Sequence, residues 1–142
     1  MASSYNRRSR ARRAVLQALY QWQLSGLSPD EVEAQFFAER PLDNVDLDYF
    51  QALLRNIPVH SNELDETLLP SLDRPVSQLD PIEKAILRIG TFELLHRPEI
   101  PLRVVINEAV ELAKCFGAEQ SHKFVNGILD KVAHENRGLG EI

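Results

Sequence analysis

The chain has 142 residues, 44% of them hydrophobic and 26% charged, with a formal net charge of −5. These proportions exclude a disordered or low-complexity chain and suit one compact unit with a sizeable core. No apolar run is long enough to span a bilayer. The basic N-terminus also lacks the apolar segment and cleavage site of a signal peptide, so no membrane role is expected.

The single Cys115 has no internal disulfide partner, as expected of a protein in a reducing, cytoplasmic setting. Charge is unevenly divided. Residues 1–29 hold five arginines and no acid, a formal +5, whereas residues 30–142 carry a formal −10. A cationic end on an anionic body argues for a local anionic contact and against general polyanion binding.

Residues 1–6 are expected to be disordered. From Arg7 to Leu24 the pattern is helical, with Val15, Leu16, Leu19 and Trp22 as its buried stripe. A second stripe, Arg13, Gln17, Tyr20 and Leu24 with Arg10 alongside, is offset from the first by more than a quarter turn. The arginines carry this helix past the core, where they reach phosphates. Ser25-Gly26 ends it. Ser28, Pro29 and Glu31 have the spacing of a reciprocal capping box. Val32, Phe36 and Phe37 are predicted to face inward until Arg40-Pro41 stops that helix. The next helix runs from Asp43 to Asn56, with Val45, Tyr49, Leu53 and Ile57 on one face. Pro58 then removes a backbone donor, and the pattern resumes with Val59, Leu64, Leu68 and Leu69. One long helix kinked at Pro58 and ending near Pro70 is the favoured reading, with two separate helices as the alternative.

The Leu72–Leu79 loop, with Pro75, marks a boundary between two halves of a single domain, about 1–72 and about 80–136. Asp80-Pro81-Ile82-Glu83 is the clearest helix start in the chain, with Asp at the N-cap and Pro in the first turn. The helix runs to about His96. Its AILRIGTFELL segment is apolar on most sides, so it is expected to lie centrally between the halves. Arg97–Pro101 is a stiff connector. Val105, Ala109, Leu112 and Phe116 then form one stripe, and Phe124, Val125, Ile128, Leu129 and Val132 another. Two such stripes joined by a short polar turn, Ala118–Lys123, predict an antiparallel helical hairpin. Gly117 is expected at positive φ and Ser121 as an N-cap. The tail after Asn136 is expected to fray. With no strand alternation and no repeat, the fold class is all-α: two packed three-helix-type bundles, six or seven helices in all.

The arginine cluster is the strongest functional signal. Guanidinium groups bind phosphates bidentately without losing charge, and cations at a helix N-terminus oppose the macrodipole, so they imply an anionic partner. Tyr20 lies two turns from Arg13 on the same stripe and could stack an unpaired base; packing on a neighbouring helix is the blander reading. At the hairpin tip, Gln120, Ser121, His122 and Lys123 combine helix-start N–H groups with a lysine, a phosphate site or simply a cap. Catalysis finds little support. His60, His96, His122 and His134 show no metal spacing, and Cys115 reads as a core or boundary thiol. No glycine-rich phosphate loop or nucleophile elbow is present. No enzyme, metal or cofactor is expected.

The segment VINEAVELAKCFGAEQSHKFVNGILDKV closely resembles the signature of the NusB transcription antitermination proteins. RRAVLQALYQWQLS and DPIEKAILRIGTFEL resemble that family's first and fourth helices, in order, across nearly the whole chain. The C-terminal motif is shared with the N-terminal domain of some rRNA cytosine methyltransferases, whose catalytic domain would begin where this chain ends. The resemblance implies an all-α, NusB-like fold. It implies a factor that binds the boxA element of nascent transcripts together with NusE, a small-subunit ribosomal protein, and helps the elongating RNA polymerase through terminators, notably in rRNA operons. It places RNA contacts at Arg8, Arg10 and Arg12, at Tyr20, and on the tip segment Glu119–Phe124. Partner contacts fall at Glu83 and near Leu24.

Together these readings give an expected RNA-binding set of Arg8, Arg10, Arg12, Arg13, Tyr20, Gln120, Ser121, Lys123 and Phe124, with Leu24 and Glu83 for the protein partner. In an antiparallel bundle the hairpin tip can lie beside the start of the first helix, giving one composite basic edge. An anionic body suits a cationic ribosomal partner. An exposed apolar partner surface could self-associate as a homodimer when the partner is missing, and such a dimer would mask this edge. The competing reading is a protein-interaction adaptor that does not bind RNA.

Overall fold

The computed structural model describes residues 4–137. Seven α-helices and no strands are present among them, and none of the helices is long and apolar enough to cross a membrane. The chain forms two compact units, Met1–Val59 and His60–Ile142.

The first unit contains α1 (Ser4–Ser25), α2 (Pro29–Glu39) and α3 (Leu47–Val59), which pack on one another. Helix α1 begins at Ser4, so three of the six residues expected to be disordered are helical; residues 1–3 lie outside the described residues. It buries Ala11, Ala14, Val15, Leu16, Ala18 and Leu19, while Trp22 is only half-buried. Gly26 follows at φ +76°, the left-handed conformation that ends a helix at low cost in glycine. Helix α2 has its capping box: the Glu31 N–H donates to Ser28 Oγ at 3.2 Å, and the Ser28 N–H donates to Glu31 Oε1 at 3.2 Å. Phe36 is buried against Phe50, with ring centroids 5.4 Å apart. Phe37, expected inside, is half out of the core and meets Phe50 edge-on at 5.7 Å. Asp46 starts α3 by accepting from the Tyr49 N–H at 3.1 Å.

Helix α3 ends at Val59 and α4 (Ser61–Leu68) begins after His60, which sits at φ −96°, ψ 11°. The favoured single kinked helix is therefore two helices. Pro58 has no N–H to bond the carbonyl four residues back, and the ladder restarts where the Leu64 N–H reaches the His60 carbonyl at 2.9 Å. The division between units comes here, ahead of the Leu72–Leu79 loop. Helix α4 belongs to the second unit because it packs on α5 (Pro81–His96), where Arg88 clamps Asp65 through two hydrogen bonds of 3.0 and 2.8 Å.

Helix α5 is the centre of the second unit. Its N-cap, Asp80, accepts from the N–H groups of Ile82 and Glu83 at 3.0 and 3.1 Å. Every residue from Ala85 to Leu94 is buried, as packing against α4, α6 (Leu102–Phe116) and α7 (Ser121–Arg137) requires. A Cβ at Gly90 would stand 2.6 Å from Leu129 Cδ1, so this glycine lets α5 and α7 approach closely. Arg137 closes the unit. Its guanidinium donates to four main-chain carbonyls, those of Glu93, Leu94, Arg97 and Ile100, at 2.5–3.1 Å. Of the tail expected to fray after Asn136, Arg137 is helical, and residues 138–142 lie outside the described residues.

Candidate nucleic-acid interface

The five arginines of α1 occupy different environments, and helical periodicity sorts them. Arg8 and Arg12, four apart, turn toward α3. Arg8 Nε lies 3.9 Å from Asp46 Oδ2, with its guanidinium 4.2 Å from the Tyr49 ring centroid. Arg12 is 2% exposed and lies 5.4 Å from the same ring. That burial follows from periodicity and sets Arg12 apart from the exposed arginines: position 12 is one turn from Leu16 and two from Leu19, on the stripe that must face the core. Arg7 donates to the Val45 carbonyl at 3.4 Å, and its own carbonyl accepts from the Asp46 N–H at 3.1 Å. Arg10 and Arg13 are exposed, and among the described residues neither meets a carboxylate. Farther along α1, Tyr20 is 38% and Leu24 57% exposed, large apolar surface left open at that end.

A third arginine joins Arg10 and Arg13. Arg40, at the C-cap of α2, donates to Gln17 Oε1 and lies 4.8 Å from the Phe36 ring centroid. Arg10, Arg13, Gln17 and Arg40, with Pro41, Leu42 and Asp43, line an open groove of about 220 Å³. The sequence identifies Arg40 only as a helix stop; nothing in its spacing says that the chain folds it back onto α1. Arg55, by contrast, is committed to Glu33 by two hydrogen bonds of 3.0 and 2.8 Å, and that carboxylate raises the guanidinium's pKa.

At the hairpin tip the expected set divides again. Ser121 is 3% exposed. Its hydroxyl donates to Glu83 Oε2 at 2.7 Å and accepts from the Ala118 N–H at 3.1 Å. Through these two bonds Ser121 locks the turn to the start of α5. The donated bond engages Glu83, expected at the partner surface. The N–H groups of Ser121 and Lys123 are taken by the carbonyls of Ala118 and Gln120, at 3.0 and 3.2 Å. Gly117 sits at φ −90°, so its expected positive φ is corrected. A Cβ there would stand 2.8 Å from the Ser121 Cβ and 2.9 Å from the Ala113 carbonyl oxygen, so closeness and not handedness requires glycine. Gln120 and Lys123 are exposed and Phe124 half-exposed.

Two of the histidines that look scattered in sequence are brought together. His60 and His96 stack at 4.6 Å, and Glu63 Oε1 lies 2.6 Å from His96 Nε2 and 3.6 Å from His60 Nδ1. Their donor atoms, all within 4.8 Å of one another, are near enough to share a metal ion. As folded, the three side chains bond one another and tie the start of α4 to the end of α5. Only the three-residue step from His60 to Glu63 is legible in sequence; the arrival of His96 is tertiary.

The sequence and the fold have close counterparts. The sequence pattern of the NusB family matches residues 9–134. "Transcription antitermination protein NusB" of Nitrosococcus oceani is 60% identical over 132 residues, covering 93% of this chain and 88% of that protein. The protein of the same name from Shewanella loihica is 54% identical over 125 residues, covering 88% and 93%. Among solved structures, T. maritima NusB superimposes with a TM-score of 0.82 at 30% identity, covering 96% of this chain and 94% of its own. A structure of NusB and NusE in complex with dsRNA gives a TM-score of 0.79 at 27% identity, covering 89% and 96%. The match is in sequence and in fold alike, over nearly the full length of both partners, and the chain belongs to the NusB family.

Proposed function

We propose that this chain is a non-enzymatic transcription antitermination factor that binds single-stranded boxA-type RNA together with the ribosomal protein NusE and supports transcription of rRNA operons by the elongating RNA polymerase. The relatives' name and the NusB–NusE–RNA structure support the reading. The observation that carries it is electrostatic: in a chain of net charge −5, Arg10 and Arg13 stand exposed with no carboxylate of their own among the described residues.

RNA contacts are assigned to Arg10, Arg13 and Tyr20 on the first unit, with Arg8 as a weaker contributor that must first leave Asp46. On the second unit they are assigned to Gln120, Lys123 and Phe124. NusE is assigned the region of Leu24 and Glu83. Exposed Leu24 is apolar surface that a partner would cover, and the same surface supports self-association when NusE is missing. An electrophoretic shift of boxA-like single-stranded RNA, with and without NusE, tests the assignment. A complex that forms with NusE and weakens steeply with salt is expected. No shift under either condition overturns RNA binding and leaves the adaptor reading.

A further inference from the structure

We infer that the groove between α1 and the end of α2 seats one nucleotide of the bound strand, and that Arg40 is a phosphate contact supplied from outside the arginine-rich helix. This rests on the RNA-binding reading above and adds a position to it. The first unit holds seven arginines and seven acids. Four of the arginines are committed elsewhere: Arg7 to the Val45 carbonyl, Arg8 to Asp46 and Tyr49, Arg55 to Glu33, and Arg12 to burial beside Tyr49. The remaining three, Arg10, Arg13 and Arg40, line the same groove, where Asp43 is the one acid. Three cations against one carboxylate make this the place in the first unit where an anion gains most.

Arg40 is also already positioned. Contact with Gln17 and the face of Phe36 fix its guanidinium at the rim. A guanidinium has five N–H donors, so the bond to Gln17 leaves most of them for phosphate oxygens. A side chain held before binding loses less conformational entropy when the ligand arrives. The groove's size of about 220 Å³ suits one phosphate and its sugar, not a helix or strand of a protein partner. Pro41 and Leu42 give that sugar an apolar wall. Contacts of this kind fix the path of a strand and carry no base identity, so Arg40 contributes affinity equally across sequences.

The test uses the full chain with NusE and a boxA-like single-stranded RNA, with affinity measured by fluorescence anisotropy across a salt series. Arg40→Ala is expected to bind about five- to tenfold more weakly near 0.1 M salt and to lose about one phosphate's share of the salt slope. Arg40→Lys should keep the slope, because the charge remains. Gln17→Ala should keep it too, with a smaller loss of affinity, because only the positioning is removed. Arg40→Ala with wild-type affinity and slope, while the Arg10→Ala/Arg13→Ala double variant is weakened, overturns the proposal and leaves the RNA reading standing. Weaker binding by Arg40→Ala at an unchanged slope also overturns it, because the side chain would then act through folding. A double variant that binds like the wild type removes the assignment of Arg10 and Arg13, and only a wild-type chain that fails to bind the RNA removes the RNA reading itself.

Discussion

Arg12 and Arg13 are neighbours in the chain with opposite surroundings, and their replacement should separate folding from binding. Arg12 is buried at 2% exposure beside Tyr49. Arg12→Ala is therefore expected to cost about 1–3 kcal/mol of stability through lost packing, read as a lower urea midpoint. Replacing exposed Arg10 and Arg13 together by Ala should leave the midpoint within about 0.5 kcal/mol of wild type and weaken RNA binding more than tenfold. Equal RNA affinity of that double variant would sink the assignment. Tyr20→Asp places a carboxylate on the same stripe and should weaken RNA binding at unchanged helicity; circular dichroism alongside the binding curve decides this. Periodicity explains the difference between the two arginines. Read in isolation, five arginines form a cluster; read against Leu16 and Leu19, one of them already lies on the core face. Arg40 had no such signal, because its closeness to Gln17 depends on how α2 packs, 23 residues along the chain.

Helix starts were the most legible elements and helix junctions the least. The capping box at Ser28 and the Asp80 cap are made within four residues, so local chemistry decides them. Ser28→Ala should accordingly cost about 1 kcal/mol, measured by thermal or urea unfolding. The interruption after Pro58 is different. Proline removes one bond whether the helix bends or stops, and the packing of α4 on α5, with Arg88 on Asp65, selects stopping. Gly117 and Gly90 carry a related lesson. The first reads as a left-handed cap and the second as a mid-helix defect, yet both serve close approach, one to Ser121 and the other to Leu129. Gly90→Val should overpack the contact with the buried Leu129 and lower stability by roughly 1–3 kcal/mol. A midpoint equal to wild type would show that α7 yields freely there.

Over the whole molecule, charge sorts by unit. Met1–Val59 balances seven basic against seven acidic residues, and His60–Ile142 holds nine against fourteen. The sequence view of a cationic end on an anionic body holds in composition, but much of the cationic end is consumed internally, by Asp46, by the Val45 carbonyl and by burial. What remains is a local cluster, which suits binding of a short segment of RNA and not polyanions at large. The acidic excess of the second unit should attract a cationic protein. Binding to NusE is therefore expected to weaken between about 0.05 and 0.3 M salt, as RNA binding does. Calorimetry on the two binary pairs checks this, and salt-independent association with NusE would mean that apolar surface dominates that contact. The all-α class, the hairpin and the family were legible because apolar periodicity and a 28-residue motif carry them. The division of labour among polar residues was not, because it depends on which side chains the fold brings within 3 Å.

The guanidinium that closes the second unit belongs to Arg137, in the last turn of α7. Removal of Arg137 by a carboxypeptidase, or by an early stop codon, would take a donor from four carbonyl oxygens at the end of α5 and in the connector beyond it, of which those of Glu93 and Arg97 keep a main-chain N–H. Loss of Arg137 should therefore lower the unfolding midpoint, and Arg137→Ala at unchanged chain length should lower it by a similar amount.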